Sequence, residues 1–170
     1  MMNSEEIGSR EMTFIEPELY DIDRKKPQNA SYLRKCFSVS QEKKVREAKL
    51  YATALGVYEL WLNGETCTER LLLPGFTDYH RRLQYQTFDV TGQIRPGENV
   101  VLAVLGDGWY RGNLGAFNKK YCYGEKTAFA CRLEIVYVDG SADAVETDAS
   151  WKATQQGPLG VNDLKIKECY

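Results

Sequence analysis

The chain contains one histidine, His80, and no Gly-x-Ser-x-Gly run, so the residue types of a common nucleophile–base pair are missing. Metal centres built on several histidines are excluded by count. His80 lies in Tyr79-His80-Arg81-Arg82, where it reads as a surface histidine rather than a general base. Five cysteines (Cys36, Cys67, Cys122, Cys131, Cys169) are odd in number and widely spaced, without Cys-x-x-Cys. Neither a disulfide framework nor a zinc site is signalled, and the expectation is reduced, mostly buried thiols. No apolar run approaches the roughly 20 residues that span a bilayer, and the start of the chain, Met1 to Met12, lacks the basic and apolar parts of a signal peptide. The expectation is a cytoplasmic protein with no membrane partner.

Charge of one sign is also missing. A formal net charge of −2, with acids and bases interspersed, gives no reason to expect a nucleic-acid partner. No Asp-x-Asp-x-Asp-Gly calcium loop is present, although a site assembled from separate loops leaves no linear trace. A phosphate-cradling glycine loop needs a helix behind it; Gly106 and Gly108 lead into Trp109, and no helical segment is expected to follow. Paired carboxylates of the glycosidase kind are recognised by separation across a cleft, which sequence does not give.

What is present suits one β domain. With 170 residues and 43% of them hydrophobic, the chain is long enough to bury one core. Residues 1–30 read as an arm, 31–156 as the domain, and 157–170 as a tail or linker. Ser31 to Val39 alternates with period two, and Val45 to Ala54 does the same, with Leu50, Ala52 and Ala54 on one face. Tyr58, Leu60 and Leu62 share a face of the next strand, which stops at the tight-turn pair Asn63-Gly64. Trp61, inside that strand, is expected in the core. Leu83 to Val90 reads as a strand whose apolar phase slips between Tyr85 and Phe88, which a β-bulge would restore. Val100 to Leu105 is apolar throughout, as a covered central strand would be. Phe129 to Val138 places Phe129, Cys131, Leu133, Ile135 and Tyr137 on one face and turns at Asp139-Gly140 into Ala142 to Thr147; Trp151 to Ala153 can close the set. The sum is an all-β, antiparallel β-sandwich of jelly-roll (galactose-binding-like) type.

The longest connection, residues 106–127, opens with Gly106-Asp107-Gly108-Trp109-Tyr110-Arg111-Gly112 and is rich in aromatics, among them Phe117, Tyr121 and Tyr123. Loops of that length are usually functional or disordered, and the aromatics argue against disorder. Sugars present an apolar C–H face and a hydroxyl rim, so their sites pair a flat aromatic with charged or amide groups. Asp107, Trp109, Tyr110, Arg111 and Asn113 supply that mixture; Phe76 and Tyr79, with Asp78 between them, can line the same rim or simply staple their loop. The first expectation for Trp109 and Tyr110, ahead of ligand contact, is that they fold back to cap the sandwich, with Asp107 holding the turn.

Five stretches in order carry a resemblance: Tyr51-Ala52-Thr53-Ala54-Leu55-Gly56, Tyr58-Glu59-Leu60-Trp61-Leu62-Asn63-Gly64, Leu73-Pro74-Gly75-Phe76-Thr77-Asp78-Tyr79, Tyr85-Gln86-Thr87-Phe88-Asp89-Val90-Thr91 and the Gly106 to Gly112 motif. Together they resemble the N-terminal β-sandwich domain of bacterial α-L-rhamnosidases. The resemblance implies a non-catalytic accessory domain, partnered by the (α/α)-barrel that holds the catalytic carboxylates of the glycoside hydrolase. It also implies carbohydrate binding, of rhamnose or a rhamnose-containing glycan, in which calcium assists in some members. Asp107 is the residue expected to face the sugar and to mark a calcium site. A free-standing lectin and an oligomerisation domain are the other classes these residues allow. The chain departs from the resemblance at Thr68-Glu69-Arg70, where relatives often hold acids or amides, and at Lys167, where they tend to hold glycine.

Overall fold

A computed structural model describes residues 12–17, 29–114 and 119–157. Among the described residues nine strands run in the order β1 (Ser31–Val39), β2 (Val45–Leu55), β3 (Val57–Leu62), β4 (Glu65–Thr66), β5 (Gln86–Asp89), β6 (Gly97–Gly106), β7 (Ala128–Tyr137), β8 (Ala142–Glu146) and β9 (Lys152–Thr154). They form a five-stranded sheet, β4-β3-β6-β1-β9, and a four-stranded sheet, β5-β2-β7-β8, with every pairing antiparallel. The chain passes from one sheet to the other at most connections, which makes a β-sandwich.

The core fills the space between the sheets. Tyr58, Leu60 and Leu62 of β3 and Leu33 of β1 are buried, as are Leu50 of β2 and Phe129, Leu133, Ile135 and Tyr137 of β7. Each fully buried large apolar side chain contributes roughly 1.5–3 kcal/mol relative to exposure. Period-two alternation decides which face is inside, and β7 buries the face expected of it. In β2 the second face is covered too: Thr53 Oγ1 donates to the Gln84 carbonyl (2.6 Å) and Tyr51 packs on Tyr85 (ring centroids 6.4 Å), so Tyr51 and Thr53 are also buried. Central placement of the Val100 to Leu105 run holds, since β6 lies between β3 and β1.

The turns follow their chemistry. Asn63 (φ 54°) and Gly64 (φ 85°) close the β3–β4 hairpin in the left-handed conformations that an Asn-Gly pair tolerates. Asn63 does more than turn, because its side chain donates to the Gln93 carbonyl and to Asn99 Oδ1 (2.8 Å each) and accepts from the Val100 amide (2.9 Å). The arm contributes as well. Ile15 exchanges two backbone hydrogen bonds with Phe129 (2.9 and 3.0 Å), in the stretch of β7 that β8 does not reach.

Four expectations are corrected. The segment Leu83 to Val90 yields only the short strand β5, in unbroken register with Lys49–Ala52; Tyr85 precedes it and is exposed, so no bulge is needed. The bulge of this sheet lies instead between Val45 and Glu47. Trp61 is half-buried on the outer face of its sheet, across from Leu102, because the inner face belongs to Tyr58, Leu60 and Leu62. Of the described cysteines only Cys131 is buried; Cys36 and Cys122 are exposed and Cys67 is half-buried, all four as free thiols. Cys36 points outward because β1 buries its odd-numbered positions. Finally, the Gly106 to Gly112 motif contains one helical turn, α1 (Gly108–Arg111). The tail beyond Gly157, Cys169 and Lys167 included, lies outside the described residues, as do Phe117 and most of the arm.

Candidate functional site

Strand β6 delivers Asp107 and α1 to one end of the sandwich, where the first turn is set by a close approach. Gly108 has φ +52°, and a Cβ there would sit 2.5 Å from Val57 Cγ1. Only glycine lets the helical turn start so close to β3. One turn then separates the motif by face, since residues four apart share a side.

Asp107 and Arg111 occupy the buried side, at 8% and 3% exposure. Arg111 Nη1 donates to Asp107 Oδ1 at 2.7 Å, and Arg111 Nε donates to the Glu125 carbonyl at 2.8 Å. The guanidinium also stacks over the Tyr121 ring (5.4 Å). The pair thereby ties the outgoing limb of the connection to the returning limb, which is also joined by Tyr121 N to Arg111 O (3.0 Å) and Leu114 N to Lys119 O (2.8 Å). A buried pair of this kind holds geometry: its attraction largely offsets its desolvation, but removing one partner strands a charge.

Trp109 and Tyr110 are half-buried and turn to a second loop, residues 74–82. Phe76 is the hub at 51% exposure, with ring centroids 6.3 Å from Tyr79, 6.1 Å from Trp109 and 6.3 Å from Tyr123. Tyr79 meets Tyr110 at 5.2 Å and Tyr123 at 5.0 Å, and His80 covers Tyr123 at 5.1 Å. Most of these contacts are edge-on, the geometry that ring quadrupoles favour. Tyr79 Oη donates to the Gly75 carbonyl (3.2 Å), and burial, followed by the neighbouring Tyr123, pushes its phenol above the ordinary value. Gly124 is needed beneath: a Cβ there would overlap the Tyr110 ring.

The loop is anchored to the core. The one hydroxyl proton of buried Tyr58 is shared between Gln86 Oε1 (2.8 Å) and the Ala52 carbonyl (3.1 Å), and Gln86 Nε2 donates to the Pro74 carbonyl (3.0 Å). Asp78 organises the tip. Its carbonyl accepts from the Arg81 and Arg82 amides (2.9 Å each), its carboxylate accepts from the His80 amide (3.2 Å), and it pairs with Arg81 (3.6 Å).

The structure therefore brings Phe76, Tyr79, Trp109 and Tyr110 together, with Asp78 on the rim, and adds Tyr123 and His80. It places Asp107 and Arg111 below them in mutual contact, and Asn113 half-buried farther along the connection. Tyr123 was visible only as one of several aromatics in a long connection, and nothing local in the sequence signals that it meets Phe76. A calcium site at Asp107 does not fit the residues present: the carboxylate faces a guanidinium at 2.7 Å, and no group of three or more His, Cys, Asp or Glu among the described residues could hold a metal. A separate cleft of about 630 Å³, lined by Phe14, Ile15, Leu33 and Trp151 among others, contains none of the candidate site residues.

Comparison with known proteins gives concordant findings. Residues 43–170 match the family described as the α-L-rhamnosidase N-terminal domain. An α-L-rhamnosidase of Streptomyces avermitilis is 46% identical over 128 residues, covering 75% of this chain and 12% of that protein. The crystal structure of the Streptomyces avermitilis α-L-rhamnosidase complexed with L-rhamnose superposes with a TM-score of 0.78 at 44% identity, over 81% of this chain and 13% of that one. The native enzyme of Aspergillus terreus superposes with a TM-score of 0.81 at 30% identity, over 88% and 17%. The chain thus spans a small fraction of the length of these relatives.

Proposed function

The chain belongs to the family of α-L-rhamnosidase N-terminal domains, and on that premise we propose that its aromatic platform binds carbohydrate for a parent α-L-rhamnosidase. The domain is an accessory one, not the catalytic domain of those glycoside hydrolases. Hydrolysis belongs to the catalytic domain of the parent, and this chain supplies structure and sugar contact.

The observation that carries the reading is the convergence of five rings, Phe76, Tyr79, Trp109, Tyr110 and Tyr123, from two separate loops onto one partly exposed cluster. A cluster of this kind offers ring faces to the C–H face of a pyranose, and Asp78, His80 and the tyrosine hydroxyls offer partners for its hydroxyl rim. Rhamnose or a rhamnose-containing glycan is the ligand, in keeping with the α-L-rhamnosidase family. Calorimetric titration of the chain with L-rhamnose tests it. Heat that saturates, and that disappears in Trp109→Ala with the fold retained, supports sugar binding; no heat up to tens of millimolar leaves a purely structural role. The buried Asp107–Arg111 pair favours that structural role for its own half of the motif. Cleavage of an aryl rhamnoside by the purified chain would contradict the accessory assignment.

A further inference from the structure

We propose that the platform selects anionic carbohydrate, a sugar chain bearing carboxylate or sulfate, an inference that rests on the carbohydrate-binding reading above. The overall charge balance hides a local excess. The two segments that flank the rings, 76–82 and 119–126, hold Arg81, Arg82, Lys119, Lys120 and Lys126 against Asp78 and Glu125, in a chain whose formal net charge is −2.

Some of these cations are already engaged. Lys126 pairs with Glu16 (2.9 Å) and Arg81 with Asp78 (3.6 Å). Arg82 and Lys119 are exposed, and neither has a carboxylate partner among the described residues. Arg82 belongs to the turn that carries Tyr79 and His80: Thr77 Oγ1 donates to the Arg82 carbonyl (2.7 Å) and the Arg82 amide donates to the Asp78 carbonyl (2.9 Å), which closes that turn. An exposed guanidinium on the turn that carries Tyr79 donates two parallel N–H bonds to a planar carboxylate, and it donates to sulfate as readily. A neutral sugar makes no use of it.

The test is calorimetric titration of the 170-residue chain with five probes: trigalacturonate, its methyl ester, an oligomer of dextran sulfate, the matching dextran oligomer and L-rhamnose. Esterification removes charge while keeping the ring sequence, so the acid and its ester isolate the electrostatic contribution. At low ionic strength the acid or the sulfated oligomer binds about tenfold more tightly than its neutral counterpart, and the preference shrinks as salt is raised, because exposed charges are screened. Arg82→Gln and Lys119→Gln each reduce the preference while leaving the melting temperature unchanged. Preference for the acid alone assigns carboxylate, and for the sulfated oligomer alone assigns sulfate. If acid and ester bind equally, or if L-rhamnose binds while neither charged probe does, the charge selection is overturned and the carbohydrate reading stands. If no probe binds, both are overturned.

Discussion

The two faces of one helical turn differ more than residues so close in sequence usually do. On one face Asp107 and Arg111 are buried and spend their charges on each other and on the Glu125 carbonyl. On the other, Trp109 and Tyr110 stay half-open and meet rings from a loop some thirty residues earlier in the chain. The seven-residue motif is therefore two devices: a clamp that shapes the connection, and a surface that the shaped connection presents. A motif common to a domain family can be kept for its clamp alone, whatever its surface contacts.

Substitutions separate the devices, and the largest effect belongs to the clamp. Asp107→Ala strands the Arg111 guanidinium and is expected to cost about 3–5 kcal/mol, read as a shift in the urea midpoint. The double substitution Asp107→Leu with Arg111→Met removes both charges and should recover much of that loss; if it costs as much as the single change, the pair is not what holds the connection. Next comes Gly124→Ala, whose new methyl group forces the Tyr110 ring to move. The cost is about 1–3 kcal/mol, accompanied by a changed near-ultraviolet circular dichroism spectrum from the displaced rings. Smaller still is Tyr58→Phe, which deletes one bond to Gln86 at the root of the platform loop. About 0.5–1.5 kcal/mol is expected by denaturation, with Phe76 and Tyr79 showing faster proteolytic access around Gly75. Trp109→Ala should change stability least, by about 1 kcal/mol or less, while removing sugar binding. A stability loss as large as that of Asp107→Ala would make Trp109 part of the clamp and erase the contrast.

The strands were legible because their signals are local. Asn63-Gly64 and Asp139-Gly140 turn where positive φ is tolerated, and the alternation of Phe129, Cys131, Leu133, Ile135 and Tyr137 names the buried face of β7 directly. The site was legible only in part. A single helical turn has too few residues to show a period, so α1 was not expected, and without it the four-residue spacing of Asp107 and Arg111 carried no meaning as an ion pair. Trp61 was expected inside because it sits in a strand, yet face is set by phase, and its neighbours Leu60 and Leu62 had already taken the inner one. The meeting of Phe76 with Tyr123 depends on how two loops pack at one end of the sandwich, a long-range fact that neither segment carries alone.

The central claim is that the exposed face of the turn and loop 74–82 form a carbohydrate platform whose shape the buried face maintains. Titration of L-rhamnose into the wild-type chain and into Trp109→Ala, with thermal denaturation of both, tests it most directly. The account predicts saturable heat for the wild type, none for Trp109→Ala, and melting temperatures within a few degrees of each other. Equal binding by the two proteins, each folded, would contradict it.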